Sequence, residues 1–306
     1  MNIQNKSDNK GKRLIVSAGL NFATTIAQII GGFISGSLSL ISDALHNLSD
    51  TAALVISFFA VQLGMRENTE RRTFGYKRVE ILAALFNACV LVLVSIFLFK
   101  EAFARFTHPK PINSVLMLSF ASIGLVANII SVFILKAHAH QDLNIRAAYV
   151  HLFSDFLSSI AVIIGACVIF IFKAYWIDPV LTILIGIYVL IEGYKIIAES
   201  THILMQHVPK GINLRAIQEQ IEGIDGVKDV HHAHLWAVTE RDIHFEAHIN
   251  TAQDIKISDS CILKNRIEKL LKEKYLINHS TLQFEYDSCK GISLVKEIGY
   301  IKKEKS

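Results

Sequence analysis

No charged residue occurs between Arg13 and Asp43. Charge-free runs return at Thr51–Met65, Ile81–Phe99, Pro111–Leu135, Phe156–Phe172 and Pro179–Ile191. Surface helices of soluble domains carry a polar face toward water, which runs of this kind cannot supply. A bilayer core about 30 Å thick needs roughly 20 mostly apolar helical residues per crossing. The runs therefore predict six spans, at residues 14–34, 38–63, 80–104, 114–136, 146–172 and 177–198. The 52% hydrophobic content is concentrated there; beyond Glu199 charge returns every few residues. The expected division is a cytosolic tail (1–13), a six-span helical bundle (14–200), a cytosolic domain (207–290) and a C-terminal tail (291–306).

The first run is not read as a signal peptide. It is too long, no small-residue cleavage site follows, and a second span comes at once. Lys6, Lys10, Lys12 and Arg13 precede the first span, and Arg66, Arg71, Arg72, Lys77 and Arg78 lie between the second and third. Lys100 near the end of the third span, with Arg105 and Lys110 after it, makes the asymmetry incomplete. Positive residues favour the cytoplasmic side, which places both termini in the cytoplasm of a multi-pass inner-membrane protein. The net charge is only +4, and no nucleic-acid partner is expected. The four cysteines show no CxxC spacing, so neither a disulfide framework nor a zinc ribbon is indicated.

Against that background "SDALHNLSD" (42–50) is costly. On a helix Asp43, His46 and Asp50 fall at i, i+3 and i+7, on one face. The fifth span repeats the pattern in "YVHLFSD" (149–155), with His151 and Asp155 at i and i+4. Each ionisable group at a helix centre in the bilayer costs about 2.5–3.5 kcal/mol on insertion scales. The pairs could glue two spans by interhelical hydrogen bonds. Alternatively, His46, Asp50, His151 and Asp155 converge on one cation. Two nitrogen and two oxygen ligands suit tetrahedral zinc; magnesium and calcium favour all-oxygen shells, and cuprous copper favours thiolates. Cadmium, cobalt, iron(II) and manganese remain competitors. Asp43, one turn outward, reads as a vestibule carboxylate or proton relay rather than a ligand.

These motifs, with "GSLSLISDALHNLSD", "RTFGYKRVE" (72–80) and "HHAHLW" (231–236), resemble the cation diffusion facilitator family over about residues 12–288. The resemblance implies a homodimer of six-span subunits that exports zinc in exchange for protons, with cadmium as second choice. The four span residues would form its transport site. No enzyme activity and no cofactor are expected, zinc being the transported substrate and a regulatory ligand. An intramembrane metal hydrolase is the alternative from another class; it needs an open coordination position, and no HExxH is present. The family's inner-loop metal site requires histidines that the loop between spans two and three lacks. His138 and His140, between spans four and five, read as solvated loop residues.

After residue 207 the pattern reads helix (213–222), strand (227–237), strand (242–250), helix (257–274), strand (280–287). Gly223 and Gly226 punctuate it, and "HFEAHI" alternates with period two. This is an α+β domain of αββαβ order, resembling the family's ferredoxin-like C-terminal domain. The alternation puts His244, Glu246 and His248 on one face. The resemblance implies a cytosolic metal site at His234, His248 and Glu285, with Asp287 as a further ligand. Cys261 stands where relatives carry histidine and would either ligate a soft metal or pack.

Overall fold

The computed structural model describes residues 2–64, 67–136, 143–239, 242–288 and 293–295. The side chains of 2–18, 54, 57–58, 60–61, 131–136 and 143–152 fall outside that description. The chain forms two compact units, Met1–Met65 with Leu82–Ala198, and Arg66–Ile81 with Glu199–Ser306.

The first unit is helical. Its elements are α1 (Asn2–Ser35), α2 (Leu38–Gly64), α3 (Val79–Thr107), α4 (Ser114–Lys136), α5 (Leu143–Phe172) and α6 (Ile177–Leu204). Each predicted span lies within one of them. Helix α1 begins well before Arg13 and runs on through Gly11. Among the described residues, Val79–Thr107, Phe153–Phe172 and Ile177–Leu204 are long and apolar enough to cross a membrane; Gly19–Ser35 and Ser114–Ile130 are shorter apolar stretches.

The unit is apolar outside and polar inside. Phe33, Phe86, Leu93, Phe97, Ile171 and Tyr194 are exposed. Thr25, Gln28, Asp43, His46, Asn47, Asp155, Ser159 and Asp178 are buried. Water would penalise such a surface, whereas lipid matches it and drives polar side chains inward toward one another. Helices approach closely at glycine, as small residues permit. A Cβ on Gly124 of α4 would lie 2.2 Å from the Gln28 amide of α1. Gly36 ends α1 at φ +76°, and the N–H groups of Gly36 and Ser37 both donate to the Gly32 carbonyl, at 2.9 and 3.1 Å.

The second unit carries α7 (Leu214–Glu222), β1 (Val227–Ala237), β2 (Ile243–Thr251), α8 (Ile257–Tyr275) and β3 (His279–Tyr286), the predicted αββαβ order. Strand β2 is central, antiparallel to β1 and parallel to β3. Helix α8 supplies the crossover that a parallel pair requires. Leu263, Ile267 and Leu271, one turn apart on α8, join Ile217 and Ile221 of α7. Together they cover Val230, Leu235, Phe245 and Ile249 of the sheet. The Asn213 side chain caps α7, accepting from the N–H groups of Arg215 and Ala216 at 2.9 and 3.4 Å.

Candidate metal centres

In the first unit α2 and α5 bring three of the predicted residues together. His46 Nε2 lies 3.6 Å from Asp50 Oδ2 and 3.8 Å from Asp155 Oδ1. One ligand atom from each falls within 4.8 Å of the others, a spacing one cation can bridge. His46 is 5% and Asp155 1% exposed, so a charge held there is shielded from lipid and water alike. His151 stands on α5 one turn before Asp155, hence on the same helix face; its side chain lies outside the described residues. The Tyr188 ring of α6 meets the His46 ring edge-on at 5.6 Å. From α3, Asn87 Nδ2 donates to the hydroxyl and carbonyl of Ser49 at 2.9 and 3.1 Å, bracing α2 beside Asp50.

Asp43 stands outside this cluster. Its carboxylate is fully buried and accepts from Gln28 Nε2 at 3.3 Å and from the Ser158 hydroxyl. These neutral donors replace the water that the carboxylate loses on burial.

The second cluster lies on the sheet of the cytosolic unit. Glu285 Oε1 is 2.7 Å from His248 Nδ1, and Glu285 Oε2 is 3.4 Å from His231 Nε2. The three residues again offer ligand atoms within 4.8 Å of one another. The other His231 nitrogen, Nδ1, is 2.8 Å from Asp229 Oδ1, and Asn250 Nδ2 donates to Asp229 Oδ2 at 2.9 Å. A carboxylate holding one imidazole nitrogen while the other faces the ligand set is how metal-binding histidines are oriented.

His234 is not in this cluster. Its ring packs 5.2 Å from that of His232, and its register partner is Glu246. The register shifts between His231 and His234, and His232 sits at φ 49°. This bulge breaks the two-residue alternation, so Val230 and His231 are both buried. Asp287, also outside the cluster, has φ 47° and lies 3.8 Å from Lys228. His244 has a packing role: its ring stacks on Trp236 and meets His279 and Phe74. Burial is the main cause holding its pKa below the ordinary imidazole value, with His279 and Lys77 adding to it and Asp242 opposing. Cys261 is a free, exposed thiol. His138 and His140 lie outside the described residues.

Two family models match the chain: the cation efflux transmembrane domain over residues 14–205, and the cation efflux protein cytoplasmic domain over residues 209–287. The chain belongs to the cation efflux family. This cation efflux protein is a multi-pass membrane transporter of divalent metal cations rather than an enzyme, which removes the hydrolase alternative. It is 37% identical to the cadmium, cobalt and zinc/H(+)-K(+) antiporter of Bacillus subtilis, over 93% of this chain and 91% of that one. It is 36% identical to the zinc transporter ZitB of Escherichia coli, over 93% and 90%. It is also 36% identical to the metal cation efflux system protein CzcD of Cupriavidus metallidurans, over 91% and 87%. The solved metal-bound C-terminal domain of that CzcD transporter is 28% identical, with TM-score 0.22 over 24% of this chain and 99% of that one.

Sequence reasoning missed His231, Asp229, Tyr188 and Asn87 as neighbours of these clusters. For His231 a signal was available, since three histidines within "HHAH" make the choice among them depend on a bulge. The other three carry no spacing signal.

Proposed function

We propose that this cation efflux protein exports zinc from the cytoplasm across the inner membrane in exchange for protons, with cadmium as second choice. The transport site is His46, Asp50, His151 and Asp155. One observation carries this reading: the contact of the buried His46 with half-buried Asp50 of its own helix and buried Asp155 of another. Two nitrogen and two oxygen donors would close a tetrahedral zinc shell. A bound metal requires neutral imidazoles and ionised carboxylates, so protons and zinc compete for the same atoms. Outside protons displace the metal after the site opens outward, and the protonated site returns. Such alternation requires metal and proton to prefer different states. The names of the relatives, zinc transporter ZitB and a cadmium, cobalt and zinc/H(+)-K(+) antiporter, accord with that cargo and with proton exchange.

All six helices cross the bilayer in this reading, with residues 1–13 and the 207–290 domain in the cytoplasm and 291–306 as a tail. The protein acts as a homodimer through its cytosolic domains. The His231–His248–Glu285 cluster is the regulatory zinc site, and His234 and Asp287 stand outside it. No cofactor is involved, zinc being the transported substrate and a regulatory ligand.

The test is zinc flux into proteoliposomes holding an internal zinc-sensitive dye, with and without a pH gradient. His46→Ala and Asp155→Ala should each abolish flux while the protein still inserts. Near-normal transport by either variant refutes the site, and flux indifferent to the gradient refutes proton exchange.

A further inference from the structure

Far along α2 from the His46 cluster, a second buried carboxylate holds the start of that helix. Asp178, in the first turn of α6, is fully buried. It accepts four hydrogen bonds from the segment that opens α2. The hydroxyls of Ser37 and Ser39 donate at 2.7 and 2.6 Å, and the N–H groups of Leu38 and Ser39 at 2.8 and 3.1 Å. Arg105 of α3 lies 3.6 Å from the other side of the carboxylate and donates to the Gly36 carbonyl at 2.5 Å. The first N–H groups of a helix have no partner within it and carry the positive end of its dipole. Here another helix satisfies them with an ionised group, so the bonds are charge-assisted and short.

We propose that Asp178 is a positioning residue for the transport site: it fixes the depth and rotation of α2, and thereby where His46 and Asp50 stand relative to Asp155. This rests on the reading of those three residues as the site. Leu38 precedes His46 by eight residues of one continuous helix, or about 12 Å at 1.5 Å per residue. A slip of one residue would move α2 by about 1.5 Å and turn it by about 100°, carrying the ligand face away from α5. Apolar packing around Leu40 and Leu38 resists such sliding weakly, because neighbouring apolar side chains are interchangeable partners. Four directional bonds to one carboxylate admit one register only. Arg105 extends the same constraint to α3.

The experiment is the zinc dependence of flux in proteoliposomes carrying Asp178→Asn. An amide nitrogen then faces one backbone N–H, that of Leu38 or that of Ser39, and that bond fails. The expected result is a KM for zinc raised about tenfold or more, the scale on which losing a group that orients metal ligands acts, with the maximal rate changed much less. A purely structural role predicts the opposite split, since misfolded copies lower the maximal rate and leave KM alone. Ser37→Ala with Ser39→Ala, which keeps the carboxylate and removes two donors, should raise KM by a smaller factor; it carries the test if Asp178→Asn does not insert. Thr182→Ala is the control, because that hydroxyl binds the Asp178 carbonyl at 2.8 Å and should leave KM unchanged. A wild-type KM in inserted Asp178→Asn, or in the double serine variant, overturns the assignment. If His46→Ala still transports zinc, the site reading itself has failed, whatever Asp178 does.

Discussion

Asp229→Ala separates metal binding in the cytosolic cluster from mere packing. Asp229 is not a ligand in the proposed site; it grips Nδ1 of His231 at 2.8 Å while Nε2 faces Glu285. Removing such an outer partner costs about 10- to 100-fold in metal affinity, or about 1.4–2.8 kcal/mol at 1.4 kcal/mol per decade. The metal-free domain should lose less. The His231 ring nitrogen forfeits its acceptor, a penalty of about 1–3 kcal/mol when no replacement is found. The Asp229 side chain is 41% exposed, so water can enter its place and the lower end applies. The assay is competition between the full-length protein and a zinc-chelating dye in detergent, in a His46→Ala background that removes the membrane site. Asp229→Asn, which keeps an acceptor and loses the charge, should fall between wild type and Asp229→Ala. Unchanged zinc affinity in a folded Asp229→Ala protein would refute the idea that a held His231 is a ligand.

The transport site is tested by flux through His46→Ala and Asp155→Ala, expected to vanish. Gly124→Ala places a methyl 2.2 Å from Gln28 Nε2. Over-packing of about 1–3 kcal/mol should outweigh the gain of about 1 kcal/mol from helix propensity, and Gln28 must leave Asp43. Thermal unfolding in detergent should show a net loss, and a raised Tm would disprove the close approach of α1 and α4. The lowered His244 pKa gives a pH signature. The unfolded state takes up the proton first, so this stability is present above the ordinary imidazole value of 6.5 and drains away as pH falls below it. His244→Gln should therefore flatten the pH dependence of Tm between about pH 7.5 and 5; an unaltered slope would assign it to other groups.

The helices, their apolar exteriors and the paired His–Asp motifs were legible because each is a local property. Twenty apolar residues in a row have few options, and a polar residue among them marks the bundle interior. The αββαβ order was equally open, since glycine punctuation and period-two alternation are short-range signals. Choosing between His231 and His234 was not possible on the same terms. Alternation puts one side of β1 toward β2, but the bulge at His232 shifts the register, and its cause lies in how two strands pair. Asp178 shows the same limit in stronger form. Its donors lie about 140 residues earlier in the chain, and "WIDPV" alone looks like a helix start. By itself the sequence determined a membrane bundle with ligand-bearing faces on its second and fifth helices, followed in the chain by a small α+β domain. Only the tertiary structure decided which side chains meet, because a carboxylate, a helix end and an imidazole become partners through packing geometry, to which residue spacing within one element is blind.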